Sequence, residues 1–208
     1  MSGLRDRPQS MSTRPGRPPE AKPSAPVSRV RVVFLVGFMG AGKSSVGLAL
    51  SRRLGWSFED LDERIQSQEQ RTIAQIFQQS GEARFRQVEH EVLRSLVREL
   101  GAVRAKKVIA LGGGAFVQAS NAALLEQDGF SIIFLDAPAE ELFRRCQQDG
   151  LERPLRRELQ EFRALYHARR DGYMKASLRI ETSGRDVAAV VEEVIHSLEL
   201  RRSESAPL

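Results

Sequence analysis

Short apolar runs alternate with amphipathic stretches along most of this chain. These runs lie in segments of six to nine residues, which predict buried strands at 30–37, 106–114 and 130–136, a short strand and its exit at 57–62, and a strand at 177–182. The stretches with helical spacing lie between and after these runs, at 43–54, 72–80, 82–100, 119–127, 138–147, 158–171 and 186–198. Strands that alternate with helices in this way predict an α/β fold with a parallel sheet covered on both faces.

The two ends of the chain differ from this pattern. Residues 1–28 hold six of the nine prolines and almost no large apolar side chains. Such a segment cannot bury enough surface to offset the entropy of ordering it, so we expect a disordered tail. We place one domain at 29–200 and expect residues 201–208 to be frayed.

Charge and cysteine content narrow the class of protein. The net charge is +5, but five basic and two acidic residues in the tail account for +3 of it, which argues against a nucleic-acid surface on the domain. No apolar run approaches the roughly 18–20 residues of a membrane span, so we expect no membrane partner. Cys146 is the only cysteine. This excludes a disulfide within the chain and leads us to expect the cytoplasm.

The stretch GFMGAGKSS at 37–45 follows the first predicted strand and opens the first predicted helix. It matches G-x-x-x-x-G-K-[ST], the phosphate-binding loop, in which backbone N–H groups surround phosphate oxygens, the lysine reaches the β- and γ-phosphates and the hydroxyl binds Mg²⁺. The alternative is a glycine-rich turn with an incidental lysine. No guanine-reading N-K-x-D is present, and the short chain favours a small-molecule kinase over a motor or a GTPase.

Two groups of charged residues are candidates for the second substrate. Asp60 and Asp62, two apart on a predicted strand, would face the crevice at its carboxyl end and supply a proton acceptor and a carboxylate near Mg²⁺. Solvated turn aspartates are the alternative. Arg84 and Arg86 flank Phe85 in a predicted helix, where Arg86 can pair with Glu89, and the alternative is a solvated helix face.

Two loops complete the candidate site. LGGGAF at 111–116 would let a ligand approach backbone N–H groups closely, unless it is simply a loose loop. ERPLRREL at 152–159 lies in a predicted lid, about 148–160, that could bring an arginine to the transferring phosphoryl group, unless it is only a basic loop.

Taken in order from about residue 31 to 195, these stretches resemble the shikimate kinases. The matching pieces are GFMGAGKSS, DLD, IAQIF with GEARFRQVE, LGGGA, RPL and ARRDGYMKA. The resemblance implies a three-layer P-loop kinase fold with a five-stranded parallel sheet in the order 2-3-1-4-5, substrate-binding helices at about 62–100 and a mobile lid. It also implies ATP- and Mg²⁺-dependent phosphorylation of the 3-hydroxyl of shikimate, a step of aromatic amino acid synthesis.

The same resemblance assigns roles to individual residues. Asp62 would be the base, Lys43 and Arg153 would stabilise the transferring phosphoryl group, and Ser44 and Asp60 would serve the metal. The nucleotide-binding set would be Gly40, Ala41, Gly42, Lys43, Ser44, Ser45, Arg145 and Arg185. The shikimate-binding set would be Asp62, Arg86, Gly113, Gly114 and Arg169. The residues that shape the pocket would be Phe77, Phe85 and Glu89.

The chain departs from the family pattern in one motif, where Asp171-Gly172 stands in place of Pro-Leu. Arg170 is adjacent to Arg169, so either could hold the shikimate carboxylate. A kinase of another hydroxy-acid such as gluconate, and a non-catalytic nucleotide-binding module, are the rival readings. We expect a monomer whose partner is the small-molecule substrate.

Overall fold

The computed structural model describes residues 30–103, 106–148 and 159–199. The predicted tail at 1–28, the predicted frayed end at 201–208 and residues 149–158 of the predicted lid lie outside these ranges. Within them the chain forms five strands and seven helices. In chain order these are β1 Val32–Val36, α1 Lys43–Leu54, β2 Ser57–Asp60, α2 Leu61–Glu69, α3 Ile73–Ala102, β3 Lys107–Ala110, α4 Ala119–Gln127, β4 Ser131–Asp136, α5 Ala139–Gln148, α6 Leu159–Tyr173, β5 Leu178–Glu181 and α7 Val187–Ser197.

The strands form one parallel sheet in the order β2-β3-β1-β4-β5, which confirms the predicted topology. The central strand β1 is buried along its whole length, as expected for a parallel strand covered on both faces. Leu35 of β1 and Asp60 of β2 both pair with Ala110 of β3. The three strands therefore end at the same level, and the loops that follow them leave the sheet side by side.

Helix α2 was not among the elements predicted from the hydrophobic pattern, and its position corrects one prediction. The strand predicted within 57–62 is present as β2, but the placement of both aspartates on it is wrong, because the strand ends at Asp60 and Asp62 lies in the first turn of α2. The Asp60 side chain accepts a hydrogen bond from the Asp62 amide at 3.0 Å. This N-cap starts the helix immediately after the strand.

Helix α3 contains the two helices predicted at 72–80 and 82–100. Thr72 and Gln75 form a capping box at its start. Gly81 interrupts it with φ 75° and ψ 170°, a conformation that favours glycine. The rings of Phe77 and Phe85 pack across the interruption with centroids 4.6 Å apart. Among the described residues, no helix combines the length and apolar character that crossing a membrane requires.

The contact of α1 with the sheet depends on Gly47, and we expect Gly47→Ala to destabilise the fold. A Cβ at this position would overlap the Phe58 ring and lie 3.2 Å from Leu35 Cδ1. Overpacking of this kind costs about 1–3 kcal/mol. Gly101→Ala in α3 is the matched control, since its Cβ would meet nothing within 4 Å. The control should be neutral or stabilising by up to about 1 kcal/mol. Denaturant unfolding of both variants checks this, and equal stabilities would contradict it.

Candidate active site

The phosphate loop connects β1 to α1 and has the backbone geometry that its glycines permit. Gly40 has φ 75° and Gly42 has φ 82°. A Cβ at Gly40 would also lie 2.5 Å from the Leu142 carbonyl oxygen, so the loop packs directly against α5. The first turn of α1 contains no acidic residue. The predicted nucleotide-binding residues from Gly40 to Ser45 thus form the end of the loop and the start of a helix, where anions bind well.

Lys43 lies almost buried beneath this loop. Its ammonium donates hydrogen bonds to the carbonyl oxygens of Gly37 at 3.0 Å and Phe38 at 3.1 Å. Two carbonyl groups thus hold the charge next to the helix N-terminus. A triphosphate in the loop would offer this lysine stronger, charged acceptors.

Ser44 and Asp60 meet at the edge of the loop. The Ser44 hydroxyl donates to Asp60 Oδ2 at 2.7 Å, while Asp60 Oδ1 accepts from the Asp62 amide. A hydroxyl and a carboxylate are the hard oxygen ligands that Mg²⁺ prefers, so these donors fit the metal. The pairing of β2 with β3, and of β3 with β1, brings the two residues together across 16 positions of sequence.

The glycine triplet after β3 makes room for charged side chains from two other elements. A Cβ at Gly112 would lie 2.5 Å from Asp62 Oδ1, and one at Gly114 would lie 2.6 Å from Arg86 Nη2. The Asp62 carboxylate and the Arg86 guanidinium therefore lie directly on the backbone of the triplet. A Cβ at Gly113 would lie 3.6 Å from Met39 Cγ, so this glycine packs against the phosphate loop. The two loops thus adjoin.

Arg86 and Glu89 form a largely buried ion pair, as predicted from their spacing. Arg86 Nη1 donates to Glu89 Oε2 at 2.8 Å. Glu89 is only 1% exposed, and its Oε1 has no hydrogen-bond partner among the described residues. Burial raises the pKa of the Glu89 carboxyl to about 7, against the opposing effect of Arg86 and with a further increase from the negative charge of Asp62. Glu89 is therefore both a partner of Arg86 and a group that titrates beside Asp62.

The adjacent arginines of α6 point to different places. Arg169 Nη1 donates to the Gly113 carbonyl oxygen at 3.4 Å, and the Tyr173 hydroxyl donates to the same oxygen. Arg170 instead donates to Asp136 Oδ2 at 3.0 Å and to the Tyr166 hydroxyl oxygen at 3.2 Å. Of the two arginines that the sequence left open, Arg169 lies at the glycine triplet and Arg170 does not.

Arg169 and Arg86 bring two positive charges to the triplet. Burial lowers the pKa of Arg169, and the positive charge of Arg86 lowers it further. Burial raises the pKa of Tyr173 above its ordinary value, so its hydroxyl keeps the proton that it donates to Gly113. Two largely desolvated guanidinium groups beside the backbone of the triplet suit an anion, and a carboxylate fits their planar forks.

The two predicted nucleotide-binding arginines outside the phosphate loop, Arg145 and Arg185, lie near α5 and α7. Arg145 donates to the Thr182 hydroxyl oxygen at 3.1 Å and to the Thr182 carbonyl oxygen at 2.8 Å. It therefore contacts the segment TSGRD at 182–186, which contains Arg185, the other arginine predicted to bind the nucleotide. Arg185 pairs with Glu193 and donates to the Ala189 carbonyl oxygen at 2.9 Å, so its side chain lies along α7. Arg153 lies outside the described residues.

Sequence reasoning missed Asp136, which organises the base of α6. Its buried carboxylate accepts hydrogen bonds from Tyr166 at 2.8 Å, Arg170 at 3.0 Å and Arg179 at 2.9 Å. The available signal was an acidic residue at the carboxyl end of the buried run FSIIFLD. An ionised group at such a position needs partners, and here the partners fix the orientation of α6.

Comparison with known proteins agrees with this geometry. The family model described as shikimate kinase matches residues 39–199. The shikimate kinase of Persephonella marina is 37% identical over 167 residues, which cover 80% of this chain and 98% of that one. That of Geobacter sulfurreducens is 42% identical, over 79% of this chain and 88% of that one.

Solved structures show the same likeness. The shikimate kinase from Acinetobacter baumannii in complex with shikimate has a TM-score of 0.75 and 32% identity, over 83% of this chain and 94% of that one. A gluconokinase from Sinorhizobium meliloti has a TM-score of 0.53 and 20% identity, over 84% of this chain and 94% of that one. The second likeness shows the fold alone.

The buried Glu89 carboxyl predicts a pH dependence of stability. The pKa is 4.5 in the unfolded chain and about 7 in the folded one, so the unfolded state releases its proton first as pH rises. The free energy of unfolding should therefore decrease across this interval and level off above it. Denaturant unfolding at both ends of this pH interval measures the decrease in the free energy of unfolding. In Glu89→Gln the contribution of this carboxyl to the decrease should be absent. Glu91→Gln, exposed on the same helix, is the control and should keep it. An unchanged slope in Glu89→Gln would contradict the assignment.

Proposed function

Because this chain belongs to the shikimate kinase family and is an enzyme that phosphorylates shikimate, we propose a specific division of roles among the residues of its site. The observation that carries the proposal is the convergence of Arg86, Arg169 and Asp62 on the glycine triplet, directly beside the phosphate loop. One side of this site suits a triphosphate, and the other suits a substrate with both a carboxylate and hydroxyl groups.

Arg86 and Arg169 hold the carboxylate of shikimate in this proposal. The N–H groups of Gly113 and Gly114 supply further donors. The contacts that support the assignment are the guanidinium of Arg86 against Gly114 and that of Arg169 against the Gly113 carbonyl. A carboxylate bound between them would relieve the repulsion of the two cations, which an uncharged ligand would not.

Asp62 is the proposed base for the 3-hydroxyl of shikimate. A carboxylate that accepts the hydroxyl proton makes the oxygen a better nucleophile as the bond to phosphorus forms. Gly112 leaves the space in which this carboxylate lies, and Glu89 supplies a second acidic group nearby. Lys43, and Arg153 outside the described residues, would stabilise the charge on the transferring phosphoryl group.

Mg²⁺ would be held by Ser44 and Asp60, whose oxygen atoms already face each other at 2.7 Å. When bound, the metal supplies positive charge that neutralises the phosphate oxygens of ATP. Arg145, which is hydrogen-bonded to Thr182, would contact the adenine end of the nucleotide in this proposal. We also propose that the enzyme acts as a monomer, and that it acts in the cytoplasm, where a chain with a single cysteine fits the reducing conditions.

Release of ADP tests the reaction directly. ATP and Mg²⁺ are incubated with the enzyme and with shikimate, gluconate or no acceptor, and ADP is measured in a coupled assay. We expect ADP release that requires shikimate. ADP release with gluconate but not with shikimate would instead indicate a kinase of a different hydroxy-acid.

Asp62→Asn tests the base. We expect kcat to fall by about 10²–10⁴-fold, since the amide cannot accept the proton, while the affinity for ADP stays within about twofold. Glu63→Gln is the matched control, because Glu63 is the exposed acidic neighbour in the same helical turn. Turnover of Asp62→Asn close to that of the wild type would remove Asp62 as the base.

Substitutions at two positions of the glycine triplet should affect the chemical step and substrate binding separately. Gly112→Ala displaces the Asp62 carboxylate and should mainly lower kcat, whereas Gly114→Ala displaces the Arg86 guanidinium and should mainly raise KM for shikimate. We expect each effect to be about tenfold or more, because a misplaced catalytic group of this kind loses on the order of 10²-fold. Steady-state kinetics of the two variants measures the split. The same pattern in both variants would contradict the separate roles.

A further inference from the structure

The side chain of Phe38 belongs to the phosphate loop but packs on α6. The ring is fully buried, and it meets Phe162 and Tyr166 edge-on with centroid distances of 5.0 Å and 5.6 Å. Only its carbonyl oxygen takes part in the loop chemistry, as an acceptor for Lys43. The side chain therefore serves a different purpose from the backbone of the same residue.

Phe38 also reaches the arginine that lies at the glycine triplet. Phe162, Tyr166, Arg169 and Tyr173 are spaced by four, three and four residues, so they share one face of α6. The Arg169 guanidinium lies 5.9 Å from the centroid of the Phe38 ring, and it donates to Gly113 at 3.4 Å. Arg169 is thus held between the Phe38 ring of the phosphate loop and the Gly113 carbonyl group of the glycine triplet.

The Phe38 ring lies where it can stabilise the partly buried positive charge of Arg169. Arg169 is partly buried, no carboxylate of the described residues is hydrogen-bonded to it, and burial lowers its pKa. The negative face of an aromatic ring stabilises a desolvated cation more than an exposed one. An aliphatic side chain of similar size would fill the space but would not supply this stabilisation.

We propose that Phe38 is a positioning residue that holds the Arg169 guanidinium in the acceptor pocket, so that the affinity for the shikimate carboxylate depends on this phosphate-loop side chain. The inference rests on the proposed assignment of Arg169 to that carboxylate. Phe38 itself does not touch the acceptor in this account and acts through Arg169.

A double-mutant cycle tests the proposal. Shikimate affinity is measured by calorimetry for the wild type, Phe38→Leu, Arg169→Ala and the double variant. We expect about three- to tenfold weaker binding for Phe38→Leu and at least about tenfold for Arg169→Ala. The double variant should bind within about twofold of Arg169→Ala, because the ring has no guanidinium left to position. A role in packing alone would instead multiply the two effects.

Two controls separate positioning from general damage. Phe143→Leu removes another aromatic partner of Phe162, at a centroid distance of 5.2 Å, and should leave shikimate affinity unchanged. The affinity of Phe38→Leu for ADP should stay within about twofold of the wild type, because Lys43 is hydrogen-bonded to the Phe38 carbonyl oxygen, which the substitution keeps. If the leucine variant does not fold, Phe38→Met fills similar space without a ring and gives the same measurement.

Methyl shikimate, an ester without the negative charge, completes the design. The wild type should prefer shikimate to the ester, and Phe38→Leu should narrow this preference by the same factor by which it weakens shikimate binding. Multiplicative effects in the cycle, equal loss of ADP affinity, or an unchanged preference would each overturn the role of Phe38 alone. An Arg169→Ala variant with wild-type shikimate affinity would overturn the carboxylate assignment in the proposed function and this inference with it.

Discussion

The hydrogen-bond register of β1, β2 and β3 is the constraint on which the whole site depends. Leu35 and Asp60 both pair with Ala110, so three parallel strands end at one level of the sheet. The phosphate loop, the Asp60 cap and the glycine triplet begin there as neighbours. A shift of β3 by one residue would reverse the faces of its side chains and move the triplet away from Asp62 and Met39.

The glycines, which have no side chain, shape this pocket as much as the charged residues do. Gly112 and Gly114 leave the volume in which the Asp62 carboxylate and the Arg86 guanidinium lie. Packing charged groups this tightly on backbone is costly unless each has a partner. The pair of Arg86 with Glu89 and the contacts of Arg169 with Gly113 and Phe38 supply partners, and the carboxylate of the proposed substrate would complete the balance of charge.

Sequence patterns predicted the parts of the site whose geometry is local. The phosphate loop was recognised because its glycines, lysine and serine have fixed offsets between a strand and a helix. The placement of Asp62 on a strand was wrong, because spacing over two or three residues fits a strand end and a first helical turn equally well. The hydrogen bond from the Asp62 amide to Asp60 decides between them. Asp136 gave only a weak local signal, an acidic residue at the end of a buried run, because its partners Tyr166, Arg170 and Arg179 come from later elements of the chain.

The sequence by itself determined the parallel α/β fold, the phosphate-binding loop and the set of charged residues from which the proposed acceptor site is built. Only the tertiary structure shows that Arg169, and not Arg170, lies at the glycine triplet. Neighbouring residues on a helix point about 100° apart, so one of the two must turn away from the pocket. Which one does so depends on how α6 is rotated against the sheet. That rotation is set by Phe38 and Asp136, which are far from α6 in sequence and meet it only after the chain has folded.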